Sequence, residues 1–176
     1  MTNTQNLIRI ALIFIISIVA QLFIFNNLQF FGFINPYIYI LIVMTLPLGA
    51  STGTIMTIGF VAGLIIDMFC NTPGMHAGAM VLASFLRQYI LKFIALHNDY
   101  ELDVMPDLHT YDTAWYLKYA TLMVTVHHVT LFSLEQFDTL FFWPTLLRII
   151  LSILFTLVFI VLIQMLIPIG SKNKRV

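Results

Sequence analysis

Apolar and polar residues along this chain come in blocks, not in alternation. Apolar runs cover residues 7–25, 33–48, 54–69, 75–95, 114–134 and 145–167, separated by short polar or turn-forming stretches. A helix crosses a bilayer core with about 20 residues, and with fewer where the membrane thins. The runs therefore predict an all-α polytopic membrane protein with about six transmembrane helices. Strands of a membrane barrel would be about ten residues long and alternate in polarity, which these blocks do not. A backbone in hydrocarbon must satisfy its own hydrogen bonds, and with barrels set aside that leaves helices.

The breaks between runs refine the picture. Run one contains Ser17 and Gln21 and lacks the short apolar core and small-x-small site of a secretory signal, so it reads as the first membrane helix. Run two is short, with Pro36 suited to a first helical turn and Pro47 to its end. Its alternative is a re-entrant or interfacial segment, which would give five spans and put the termini on opposite sides. Gly49 to Gly53 is a small-residue turn, and Asn71-Thr72-Pro73-Gly74 a tight one. Residues 97–113 form an acidic loop holding Asp99, Glu101, Asp103, Asp107 and Asp112. Phe141, Phe142 and Trp143 suit a headgroup-level aromatic belt, and Pro168 and Gly170 stop run six. The chain thus reads as one integral membrane domain, residues 1–171, with a basic tail at 172–176.

Composition supports the same class. Of 176 residues 60% are hydrophobic and 9% charged, against roughly a quarter charged in soluble proteins, so lipid is the expected solvent. The formal net charge is zero, which provides no basic field for a nucleic acid. Cys70 is the single cysteine, so no intrachain disulfide forms. With six spans both termini share a side, and that side collects Arg9, Lys92, Lys118, Lys172, Lys174 and Arg175, against Arg148 opposite. The positive-inside rule then places both termini and the acidic loop in the cytoplasm. The five carboxylates repel one another and anionic headgroups, so the loop is expected to stand away from the membrane or to meet a basic partner surface, if it is more than a solvated linker.

One motif stands out. In GFVAGLIID, Gly59, Gly63 and Asp67 are spaced i, i+4, i+8 and share one helix face. The glycines allow close approach of another helix, although GxxxG alone is a weak signal. Asp67 is costly in hydrocarbon and misplaced at a helix C-terminus, so it needs a partner. The readings are a structural role with the backbone N–H groups of the Pro73-Gly74 turn, contact with a partner protein, or a transport or catalytic role. Arg148, in the first turns of run six at a similar depth, is a candidate ion-pair partner for Asp67. The alternative has Arg148 snorkelling to headgroups and Asp67 bonding to its own turn.

The string GFVAGLIIDMFCNTPGMHAG resembles the signature of the MreD family of bacterial rod shape-determining membrane proteins, with Gly59, Gly63, Asp67, Pro73, Gly74 and Gly78 matching in place. Length, N-terminal span and basic tail are similar, while the long acidic loop departs from the commoner pattern. The resemblance implies a non-enzymatic component of the wall-elongation machinery in the bacterial inner membrane. Its implied partners are MreC foremost, then MreB, the glycan polymerase RodA and a class B penicillin-binding protein. It also implies a fold similar to the membrane-embedded substrate-binding subunits of energy-coupling factor transporters. That fold opens a second possibility, a binding subunit for a vitamin-sized solute, which needs a polar pocket on the outer side.

Chemistry is otherwise sparse. There is no Walker sequence, dinucleotide fingerprint or HExxH, and no cofactor is expected. His127 and His128 are adjacent and face about 100° apart on a helix; with His76, His97 and His109 scattered, they specify no metal site and suit interhelical hydrogen bonds. Cys70 reads as a small semi-buried side chain. A membrane enzyme would have only Asp67, Glu135 and Asp138 as outer acids, without paired spacing on one helix.

Overall fold

The structure, a computed structural model, describes residues 3–28, 34–94, 104–136 and 142–167. Residues 97–103, Asp138 and the basic tail lie outside the described residues. Five long helices dominate: α1 (Asn3–Phe23), α3 (Thr52–Cys70), α4 (Met75–Ile94), α5 (Thr113–Glu135) and α6 (Phe142–Leu166). A four-residue helix, α2 (Leu41–Met44), follows a single 3-10 turn at Ile38–Ile40. Among the described residues four helices are long and apolar enough to cross a membrane: Thr4–Asn27, Thr52–Cys70, Met75–Ile94 and Trp143–Leu166.

The helix ends follow local chemistry. Ser51 caps α3 by accepting from the Thr54 amide at 3.2 Å. At the other end Asn71 adopts the left-handed conformation (φ 56°) and returns its N–H to the Asp67 carbonyl. Asp112 caps α5, accepting from Ala114 and Trp115.

The outer faces of α1 and α6 are apolar, and their polar residues turn into a largely apolar interior. On α1, Ile8, Leu12, Ile15, Val19 and Phe23 form an exposed stripe, and on α6 Leu147, Ile150, Leu154, Val158 and Leu162 form another. The inward stripes carry Ser17 and Gln21 on α1, and Ser152, Thr156 and Gln164 on α6. This distribution suits a lipid solvent, where burial favours polar rather than apolar groups. α4 packs between α3 and α5, and α6 against α5.

The second apolar run is not a spanning helix, and this corrects the sequence reading. From Ile34 to Leu46 nearly every residue is buried, yet only the 3-10 turn and α2 are helical. The segment nonetheless runs along the bundle. Tyr39 meets His76 near the start of α4, and Leu46 meets Arg87 eleven residues later on the same helix. At 1.5 Å per residue this is an advance of about 16 Å. Pro36 is compatible with a first helical turn, yet only the 3-10 turn at Ile38–Ile40 and α2 follow it, and Pro47 lies just beyond their end. The freed backbone groups find side chains instead. Asn35, Tyr37 and Ile38 donate their amides to Ser152, Thr156 and Gln21. Carbonyls of Pro36, Met44, Leu46 and Pro47 accept from Gln21, Tyr119 and Arg87. Irregular backbone at membrane depth is tolerated only with such partners, and this accounts for the burial of Gln21, Arg87, Ser152 and Thr156.

The described part of the acidic loop folds against the bundle rather than standing away from it. Val104 accepts from the Leu48 amide, Leu108 donates to Gln164, and the His109 ring bonds to the Gln164 carbonyl. Asp107 is buried and accepts from the amides of His109 and Thr110, so it shapes a turn, as Asp112 shapes a cap.

Candidate functional site

The signature residues converge on the joint between α3 and α4. Gly59 and Gly63 face α4, as their shared helix face requires. A methyl group on Gly63 would lie 2.5 Å from Ala77 Cα and 2.6 Å from the His76 carbonyl oxygen, so the two backbones touch there. A methyl on Gly59 would meet Ser84 Oγ at 2.5 Å and Val43 at 3.2 Å. Gly78 lies on another face, towards Leu134 of α5. Pro73 and Gly74 make the exposed turn, and Gly74 has φ +79°, a conformation that favours glycine.

Asp67 completes the joint, buried to 4% exposure. Its Oδ1 accepts from the His76 amide at 3.0 Å and the Thr72 hydroxyl at 2.8 Å, and its Oδ2 from the Ala77 amide at 2.9 Å. The carboxylate at the end of α3 is therefore the N-terminal cap of α4, where orphan N–H groups and the helix dipole favour a negative charge. Both oxygens are committed to this duty.

Arg148 does not pair with Asp67; its partner is Glu135 at the end of α5, at 3.0 Å. The guanidinium also lies 4.4 Å from the Phe132 ring centroid. With the Asn35 amide oriented to satisfy its neighbours, its oxygen accepts from Arg148 Nη2 at 3.1 Å. The connection runs between α5 and α6, not between α3 and α6; Asp67 is held instead by the Thr72 hydroxyl and the amides of His76 and Ala77.

Beside this joint lies a cavity of about 470 Å³. Its polar lining includes Asn26, Asn35, Tyr37, His76, Glu135 and Arg148, and Leu22, Phe23 and Phe69 form apolar wall. Cys70 also lines it, accepting from the Asn26 amide at 3.1 Å. At the cavity floor His76, His127 and His128 gather around two tyrosines, while His109 bonds to Gln164 elsewhere. Tyr39 Oη bonds to His76 Nδ1 at 2.9 Å and to His127 Nε2 at 2.6 Å. His128 bonds through Nε2 to Thr156 and through Nδ1 to the Val124 carbonyl. The Tyr37 ring packs edge-on against the rings of His76 and His127. Adjacent histidines about 100° apart thus reach two different partners, the inner segment and α6. Among the described residues no group of three His, Cys, Asp or Glu side chains is placed to hold a metal ion.

Sequence reading passed over Arg87 and Tyr39, and took Gln21 only as an interruption of run one. Arg87 is 1% exposed and donates to the Tyr119 hydroxyl and to the carbonyls of Leu46 and Pro47. Its signal was available: a full charge in the middle of an apolar run demands buried partners. What no sequence pattern indicates is that those partners are carbonyls of a broken neighbouring segment.

No known protein family, characterised protein or solved structure matches this chain.

Proposed function

We propose that this protein is a non-enzymatic membrane scaffold of the bacterial wall-elongation machinery, resembling MreD, and that it acts by holding an MreC-type partner. The single observation in support is the α3–α4 joint. Gly59, Gly63, Asp67 and Gly74, four of the six positions that carry the resemblance, work together as one structural unit. Positions used for packing and capping suit a rigid platform better than a reaction centre. In this reading the chain crosses the inner membrane six times, five times as helix and once as the sheltered segment ending in α2. Both termini and the folded acidic loop face the cytoplasm, and MreB, RodA and a class B penicillin-binding protein associate through the complex. The test is a tagged pull-down from membranes with mass spectrometry of what co-purifies. Recovery of an MreC-like single-span protein with wall-synthesis enzymes is expected. Recovery of transporter ATPases without them would overturn the scaffold reading. A reporter at each terminus checks topology, and opposite locations would sink the six-pass arrangement.

The cavity favours a second reading, a membrane subunit that binds a vitamin-sized solute. Its volume falls within the range of small-molecule sites, and its lining mixes apolar wall with a few polar groups. Neighbouring genes discriminate: wall-elongation genes for the first reading, transporter ATPases for the second.

A further inference from the structure

The cavity floor offers a proton whose position can be deduced. The Tyr39 hydroxyl sits between His76 Nδ1 and His127 Nε2 and has one proton to donate, so the chain of bonds runs in one of two directions. His127 Nδ1 is buried and has no partner. If Tyr39 donates to His127, the orphan is an N–H; if Tyr39 donates to His76, the orphan is a lone pair. Orphaned buried N–H groups are the rarer of the two in proteins, so the second direction holds for neutral rings. His127 Nε2–H then donates to Tyr39, and Tyr39 donates to His76 Nδ1. The remaining proton of the His76 ring is on Nε2. Because Nδ1 is occupied and His76 lines the cavity, Nε2–H is the atom left for whatever enters.

The walls add two charges of opposite sign. Glu135 and Arg148 both line the cavity and hold each other at 3.0 Å, with side chains 20% and 28% exposed. A net anion entering here would face the Glu135 carboxylate, and a net cation would face Arg148 and the His76 N–H. An apolar occupant would leave the His76 N–H without a partner and desolvate the ion pair. We propose that the cavity binds a small zwitterion, of the size of an amino acid or short peptide. Its carboxylate is received by His76 Nε2–H and Arg148, and its ammonium by Glu135. The two wall residues neutralise each other when the cavity lacks a ligand, and each then exchanges part of that attraction for the opposite charge of the ligand. This deepens the solute-binding reading and rests on it.

The experiment is thermal melting of the full-length protein in nanodiscs against free amino acids and dipeptides, with vitamins as a separate panel. A saturable rise in Tm with a zwitterion is expected. Its N-acetyl form and its carboxamide form should each bind at least about tenfold more weakly. His76→Phe and Glu135→Gln should do the same to the parent ligand. Should His76→Phe fail to fold, Glu135→Gln and the two capped ligands still decide. Capped forms that bind as well as their parent overturn the zwitterion assignment and leave solute binding intact, as does a shift seen only with vitamins. No shift with either panel removes both.

Discussion

Asp67 Oδ2 accepts the backbone N–H of Ala77 at 2.9 Å, so the last turn of α3 supplies the N-terminal cap of α4. Removing that carboxylate leaves the amides of His76 and Ala77 without acceptors inside the bundle. Asp67→Ala should cost about 2 kcal/mol, in line with lost caps, and lower the melting temperature in detergent. Asp67→Asn keeps one acceptor oxygen but turns its NH2 towards an amide, so it should lie between alanine and wild type. An alanine variant that melts with wild type would remove the capping claim.

The glycines separate by what stands opposite them. At Gly63 an added methyl meets backbone, which cannot step aside, so Gly63→Ala should already destabilise by roughly 1–3 kcal/mol, and Gly63→Leu by more. At Gly59 the nearest atom is Ser84 Oγ, the end of a small side chain without a hydrogen-bond partner. Gly59→Ala should therefore be milder, and Ser84→Ala should restore part of its loss. Melting curves of the four variants test this, and equal loss for the Gly63 and Gly59 alanines would contradict it.

Arg87 holds the broken segment. Arg87→Leu leaves the Leu46 and Pro47 carbonyls and the Tyr119 hydroxyl without their donor in an apolar surround. We expect a loss of about 2–4 kcal/mol from these unsatisfied acceptors, read as low membrane abundance and a depressed Tm. Tyr119→Phe, which removes the bond to the Met44 carbonyl and one bond of Arg87, should cost about 1 kcal/mol. A fully abundant, wild-type-melting Arg87→Leu protein would show that the segment does not depend on it.

The ion pair can be assigned by coupling. Glu135→Gln and Arg148→Gln should show an interaction of about 1 kcal/mol in a double-mutant cycle, modest because both side chains keep some exposure. Asp67→Asn and Arg148→Gln should be additive. Coupling between the second pair and none between the first would reverse the assignment.

The apolar blocks by themselves determined an all-helical class suited to lipid and the positions of five long helices, because a backbone in lipid has few alternatives to a helix. The i, i+4, i+8 spacing of Gly59, Gly63 and Asp67 determined that they share a face, since helical geometry is local. Which residues answer that face was decided by the tertiary structure. Asp67 has several partners of suitable chemistry in sequence, and the tight turn at Asn71–Gly74 brings the amides of α4 to it while Glu135 takes Arg148. The second run shows the limit most plainly. Its composition is that of a membrane helix, and Pro36 and Pro47 are compatible with one. It stays irregular because Gln21, Ser152, Thr156, Tyr119 and Arg87, from four different helices, stand ready to bond its backbone. Hydrogen-bond satisfaction at that depth is a property of the whole bundle, and a one-dimensional pattern has no term for it. The same holds for His76 and His127, fifty-one positions apart, which only the packing of α4 and α5 around Tyr39 brings to one hydroxyl.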